Sequence, residues 1–369
     1  MKQAVLEGCN GEWSQKSYLP LLIRKAKKGN LNLWAIDIES QIKLNDPIIS
    51  SLWQEAINKG NARYLDKIRN PEFFKVIDKS DYVFIVTPDQ QHCEVAEFWL
   101  ERLSTEGKIF VEKPLDVSIE KARELKNEMG EVELVYGFDH YLAKTYPFFT
   151  RNYLKRIGRI SKIEFNILES NIIRESQVGT LDKGVIFDLF CHVLAVVGAM
   201  LSQDSNSLET ILKAAIIRNV ISAQYRNCPI SGETYARIEF SVGNNTEVIA
   251  TVGKGIGDNN DKCMIISGEY GQKKLDFGEN NSNGNHSSQH QNKEPLESKP
   301  VESFLNTILQ RRKLLSAPGV LSFDAALIIL EKLDEAKKKA GEMLHYNIGT
   351  SAEQIYRMCQ NARSASINP

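Results

Sequence analysis

What this sequence lacks narrows its function before any motif is read. Its six cysteines, at positions 9, 93, 191, 228, 263 and 359, include no C-x-x-C pair. That scatter argues against a zinc site and a disulfide framework, and reduced thiols are expected. An excess of one charge is missing too. Lys plus Arg number 46 against 47 Asp plus Glu, for a net charge of −1, so there is no electrostatic case for nucleic acid or an anionic membrane. No apolar run suits a membrane span. The longest, GVIFDLFCHVLAVVGAML over 184–201, carries Asp188 and His192, which are costly in lipid, and it reads as a core helix. MKQAVLEGCNG reaches glycine too early for a secretory leader, so a cytoplasmic location is the default expectation. The usual dinucleotide fingerprint is incomplete as well, because G-x-G-x-x-G would need glycine where Asn10 and Trp13 stand.

What is present has the balance of a globular chain, 42% hydrophobic and 25% charged over 369 residues, long enough for two domains. Up to residue 138 the apolar runs AVLE, LNLWAID, YVFIVTP, KIFVE and VELVYGF alternate with helix-patterned stretches at 14–28, 47–59, 90–104 and 118–129. That alternation predicts a parallel sheet with crossover helices. From about 158 the runs SKIEFNILES, ETILKAAIIRNV, TYARIEFSV, TEVIATVG, CMIISGEY and KKLDFG follow one another with little helix between them, which predicts an antiparallel or mixed sheet. Residues 279–299, rich in Asn, Ser and Gln, read as a surface loop. His286 and His290 within them have metal-like spacing, but solvated linker is the simpler reading and no metal site is expected. Helical patterns close the chain near 300–313, 319–341 and 351–362.

The stretch GCNGEWSQKSYLP, 8–20, stands between a strand and a helix pattern. Such a turn offers backbone N–H groups and the positive end of a helix dipole to a phosphate. Gly8 and Gly11 allow close approach, although a plain strand-to-helix turn would look the same. Asp37 ends the second strand, where a carboxylate accepts from both adenosine-ribose hydroxyls and repels a 2′-phosphate. Ile38, Glu39 and Ser40 follow it without an arginine, so NAD is favoured over NADP.

The turn resembles that of glucose-6-phosphate dehydrogenases: Gly8, Gly11, Glu12 and Pro20 fit its spacing, while Ser17 stands where those enzymes carry a substrate-side lysine. VFIVTPDQQH resembles the T-P-x-x-x-H segment of the glucose–fructose oxidoreductase, inositol dehydrogenase and rhizopine (Gfo/Idh/MocA) family through Thr87, Pro88 and His92. Both families share the E-K-P motif found at Glu112, Lys113 and Pro114, and the resemblance implies a cis Lys113–Pro114 bond. Together they imply a Rossmann doubly wound parallel sheet over 1–138. A C-terminal α+β domain with a large open mixed or antiparallel sheet would cover 139–345, and a terminal helix or tail 346–369. The implied cofactor contacts are Gly8, Cys9, Asn10, Gly11, Glu12, Trp13, Asp37, Thr87, Pro88, His92, Glu112 and Lys113.

GFDHYLAKTYPFF, 137–149, resembles the D-H-Y-L-G-K motif of glucose-6-phosphate dehydrogenases, with Ala143 in place of glycine. By that resemblance His140, Tyr141 and Lys144 hold a sugar phosphate and Asp139 orients the catalytic histidine. Spacing alone puts His140 and Lys144 on one face of a helix, where two cations suit an anion. Asp188 and His192 are likewise four apart in an apolar helix pattern, and burying them there demands pairing or a polar cleft. The Gfo/Idh/MocA family uses this D-x-x-x-H pair. Lys113, Asp188, His192 and Asp139 are therefore the candidate catalytic groups. Lys113 would polarise a hydroxyl, and His192, with a reference pKa of about 6.5, would take its proton.

The expectation is an NAD-dependent dehydrogenase acting on a secondary hydroxyl of a sugar, sugar phosphate or cyclitol. It would need no metal, and the resemblance implies a homodimer or homotetramer. Two alternatives stand beside it: a lyase or glycosidase that uses NAD transiently, and a non-catalytic nucleotide sensor. The segment 170–183 is expected to border the substrate pocket, with Arg174 and Lys183 as contacts or as plain surface charge.

Overall fold

The computed structural model describes residues 1–44, 46–66, 77, 79–149, 154–174, 177–202, 207–243, 246–257, 261–277, 298–309 and 317–367. The chain divides into two compact units, Met1–Ala143 with His290–Leu327, and Lys144–Gln289 with Ile328–Pro369. The segment from His290 to Leu327 thus groups with the first unit, whereas the sequence division kept it in the second half.

In the first unit, strands β1 (Lys2–Glu7), β2 (Leu31–Asp37), β3 (Ala62–Asp66), β4 (Ser80–Ile85), β5 (Leu103–Glu112) and β6 (Val135–Phe138) lie in the order β3-β2-β1-β4-β5-β6 and pair in parallel. A short strand, Val320–Leu321, adds antiparallel to β6. The strand order reverses between β1 and β4, and in such doubly wound sheets ligands bind beyond the strand ends at that point. Helices cross over between the strands. Pro47–Asn58 begins on Asp46, whose carboxylate accepts from the N–H groups of Ile48 and Ile49, and Ile119–Met129 begins on Ser118, which accepts from Lys121 N–H; such caps satisfy the orphan donors of a helix start.

Two elements differ from the sequence reading. The pattern over 14–28 breaks at Ser17 into helices Glu12–Lys16 and Tyr18–Lys27. The edge strand β3 was not foreseen: its five residues, ARYLD, are too few for a clear alternation. The core is aromatic. Phe304, on helix Ser298–Leu309, packs on Phe138 at 4.3 Å and Phe110 at 5.1 Å between ring centroids, with Phe84 at 6.2 Å.

In the second unit, β7 (Ile160–Glu169), β8 (Ile216–Tyr225), β9 (Tyr235–Val242), β10 (Thr246–Lys254), β11 (Asp261–Gly268) and β12 (Gly271–Asp276) form a sheet in the order β12-β11-β7-β10-β9-β8, and Leu344–Tyr346 joins β8 at its edge. The sheet is mixed: β7 runs parallel to β10, while the β9, β11 and β12 pairings are antiparallel. Phe240 on one face packs edge-on to Phe190 at 5.5 Å, at the start of the buried helix Cys191–Leu201. Helix Ala352–Ile367 joins the apolar cluster of Ile221 and Tyr235 through Ile355 and Cys359, and Tyr235 alternates with Ala236 and Phe240 on the opposite face.

One run read as strand is partly helix. ETILKAAIIRNV enters as helix Leu208–Lys213, capped by Ser207, and becomes strand only at Ile216. The N-cap and good helix formers outweigh its apolar continuity. The expected loop at 279–299 lies outside the described residues except for its last two positions, which begin helix Ser298–Leu309; His286 and His290 fall outside with it. Among the described residues no helix is long and apolar enough to cross a membrane.

Truncating Phe304 to Ala should cost about 3–5 kcal/mol, the usual loss for a buried phenylalanine. Urea unfolding of the variant against the wild-type chain measures it, and a loss below about 1 kcal/mol would remove helix Ser298–Leu309 from this core.

Candidate cofactor and catalytic groups

In the first unit the expected cofactor residues gather beyond the strand ends. Gly8 follows β1 with φ +81°, and a Cβ there would meet the Val86 carbonyl oxygen at 2.4 Å. Only glycine combines that left-handed backbone with that approach. The N–H groups of Gly8 and Cys9 donate to Ile36 O, and the Asn10 N–H donates to Asp37 Oδ2 at 2.8 Å. Asp37 therefore holds the turn as well as standing where a ribose would need an acceptor. The Asn10 side chain reaches the following loop, donating to Gln41 O at 3.1 Å and accepting from Lys43 N–H at 2.8 Å. Cys9 is buried, and burial pushes its thiol pKa well up, so it is inert filler under the turn. Gly11 and Glu12, both exposed, open the first helix, whose leading N–H groups have no partner within the helix. A glycine that must approach backbone, a helix start and a carboxylate ending β2 together fit a dinucleotide.

Glu112, at the end of β5, is buried and takes two side-chain donors on Oε1: Trp13 Nε1 at 2.9 Å and Tyr18 OH at 2.8 Å. Burial raises its pKa against the pull of those donors. Its oxygens thus serve the protein and fix Trp13, whose ring lies 4.9 Å from the His140 ring. Lys113 follows, half-buried, and its bond to Pro114 is cis, as the resemblance implied. His92 is buried with Nδ1 2.8 Å from Pro114 O and Nε2 2.9 Å from Thr87 O. Burial lowers its pKa. Both ring nitrogens face main-chain carbonyls, so His92 braces the segments that carry Thr87 and Lys113 instead of turning a nitrogen towards a cofactor. Pro88 is exposed beside them. Asp139 is buried and caps helix His140–Thr145 by accepting from Leu142 N–H at 2.8 Å. The Tyr141 ring lies 4.7 Å from that of His140.

In the second unit, Asp188 lies in a π-helical turn, Ile186–Phe190, that runs into helix Cys191–Leu201. The plain α-helix expected there is wound wider across Asp188, a feature that recurs at functional sites. His192 is buried on the first turn after it. Gly184 opens the segment with φ +87°, and a Cβ there would meet Glu233 Oε1 at 2.5 Å. That carboxylate is buried, accepts from Ile186 N–H at 2.9 Å, and pairs with Lys337. Lys254 Nζ stands 3.2 Å from Asp188 Oδ2 and 2.8 Å from Glu169 Oε2, and Lys262 Nζ meets Glu169 Oε1 at 2.8 Å. Burial works to raise the Glu169 pKa, but the two lysines outweigh it and hold the carboxyl at about 2. Lys144 donates to Phe277 O at 2.6 Å, while Arg174 and Lys183 are exposed.

Sequence reasoning missed Glu169, Lys254, Lys262, Glu233 and Lys337. A signal did exist for three of them: each breaks an apolar alternation at a strand end. Their mutual reach needed the pairing of β7 with β10 and β11, which no local pattern carries.

A strand order of 3-2-1-4-5-6 with a glycine turn at the switch point is the dinucleotide-binding doubly wound fold. Residues 54–140 match the Gfo/Idh/MocA family model, described as an oxidoreductase family with an NAD-binding Rossmann fold. That match takes in less than half of the chain, all of it within the first unit, and it likens this part to the family's NAD-binding domain. No curated protein sequence matches the chain. Among solved structures it is similar to a myo-inositol dehydrogenase from Corynebacterium glutamicum, at 15% identity and a TM-score of 0.66, covering 92% of this chain and 96% of that one. A glucose-6-phosphate dehydrogenase in complex with glucose-6-phosphate is 15% identical with a TM-score of 0.65, covering 98% and 97%. GenD2 from gentamicin A biosynthesis, in complex with NAD, is 13% identical with a TM-score of 0.62, covering 92% and 94%. At such identities these likenesses show the fold alone.

The depressed Glu169 pKa predicts a sign for acid unfolding. A carboxyl held at about 2 instead of the ordinary 4.5 stabilises the fold above about pH 4.5, on the order of 3 kcal/mol, and loses this as pH falls towards about 2. Glu169→Gln should therefore flatten the stability profile across that window in chemical denaturation. Parallel profiles for the two proteins would refute the assignment.

Proposed function

We propose that the chain transfers a hydride between NAD and a secondary hydroxyl of a sugar, sugar phosphate or cyclitol, with His192 as the proton acceptor. The observation that carries this reading is the construction around Asp188. A carboxylate in a π turn, four residues before a buried histidine, is met by a lysine at 3.2 Å, and a helix serving only as core has no use for that arrangement. The similar structures include an inositol dehydrogenase and a glucose-6-phosphate dehydrogenase, which supports the substrate class.

Hydride acceptance is the chemistry that NAD supplies when bound along Gly8–Trp13, and the remaining work falls to side chains. Asp188 orients the His192 ring through one nitrogen, leaving the other to accept the hydroxyl proton. Lys113, at the end of β5, donates to the reacting oxygen and lowers the energy of its developing negative charge. His140, Tyr141 and Lys144 hold the polar end of the substrate, a phosphate in the phosphorylated case. Asp37 accepts from the adenosine ribose, which favours NAD over NADP.

His192→Asn should cut turnover at least ~10²-fold with NADH affinity unchanged, when NADH formation is followed across sugar phosphates, free sugars and inositols. Turnover equal to wild type on any substrate found would end the assignment of His192.

A further inference from the structure

The face of the second sheet that carries Phe240 is apolar along most of its width. Alternation puts Ile163, Phe165 and Ile167 of β7, Val248, Ala250 and Val252 of β10, and Met264 and Ile266 of β11 on it, all buried. At one end the same alternation delivers Glu169, Lys254 and Lys262, with Lys254 registered opposite Glu169 and Lys262 opposite Ile167. Three charges on adjacent strands at one end of an apolar face carry a desolvation cost that aliphatic residues would avoid. Glu169 already has Lys262 at 2.8 Å. Lys254 is the group that reaches further, linking Glu169 to Asp188. The four charges, alternating plus and minus, sum to zero.

We propose that Lys254 is the positioning residue for Asp188: anchored by Glu169, its ammonium holds the Asp188 carboxylate against the His192 ring and thereby selects the ring's tautomer. This deepens the reading of Asp188 and His192 as the proton-transfer pair and rests on it. Lys254 meets Asp188 on one carboxylate oxygen, Oδ2, so the ion pair limits rotation of the carboxylate about its terminal torsion, which is otherwise soft. An arginine at 254 would keep the positive charge, on a planar fork whose N–H groups can donate to a carboxylate oxygen. A methionine would keep the packing and lose both charge and donors.

Histidine-labelled full-length protein tests this by ¹⁵N–¹H correlation of the imidazole nitrogens, with His192→Asn identifying the His192 signals. Wild-type His192 is expected in a single tautomer. Asp188→Asn should shift that balance, Lys254→Met should shift it the same way, and Lys254→Arg should restore the wild-type pattern. NADH binding and circular dichroism report whether each variant is folded. A Lys254→Met spectrum identical to wild type, with Asp188→Asn shifted, overturns the role of Lys254. A tautomer indifferent to Asp188→Asn overturns the Asp188–His192 pair instead. Should Lys254→Met fail to fold, Lys254→Gln removes the same ammonium while keeping a polar end, and an unshifted tautomer there overturns the proposal equally.

Discussion

A carboxylate taken out of water must be met by donors, and that requirement organises the functional edge of each unit. Glu112 in the first unit is satisfied by the indole of Trp13 and the phenol of Tyr18. The helix after the glycine turn is thereby tied to the end of β5, next to Lys113. In the second unit Glu233 takes the Ile186 N–H and pairs with Lys337, which fixes the start of the segment that carries Asp188 and His192. Glu169 is shared by Lys254 and Lys262. Each of these acids costs desolvation and returns it as geometry: the donors must come from distant parts of the chain, so satisfying the acid sets where those parts lie.

Two glycines do for the backbone what those acids do for side chains. Gly8 lets the turn close on the Val86 carbonyl, and Gly184 lets the helix start close on the Glu233 carboxylate. Both have φ near +80° or above, where a side chain would be strained as well as obstructed. These two glycines, among several with positive φ, stand at the entrances to the two candidate functional segments, while ordinary caps at Asp46 and Ser118 serve the crossover helices.

Much of this was legible in the chain itself. Alternating apolar runs specified β1, β2, β4, β5 and β6 with their crossover helices. The G-x-x-G spacing located the turn, and D-x-x-x-H located the pair on the buried helix. Errors fell where local signals were short or mixed: β3 is five residues long, and Leu208–Lys213 is helix inside a run that continues as strand. His92 matched its motif, yet the motif carried no information about what its ring would face. Only the fold puts the Thr87 and Pro114 carbonyls on its two nitrogens.

The sequence by itself determined the order of strands and helices, the glycines that permit close approach, and which acids, lysines and histidines were available, because periodicity, turn chemistry and residue type act over a few neighbours. Tertiary structure alone decided which of those groups meet. That Glu169 lies opposite Lys254 follows from β7 pairing in parallel with β10 across two intervening strands of sequence. Contacts between residues distant in the chain are set by the burial of whole faces, and a burial of that kind has no signature in any short stretch.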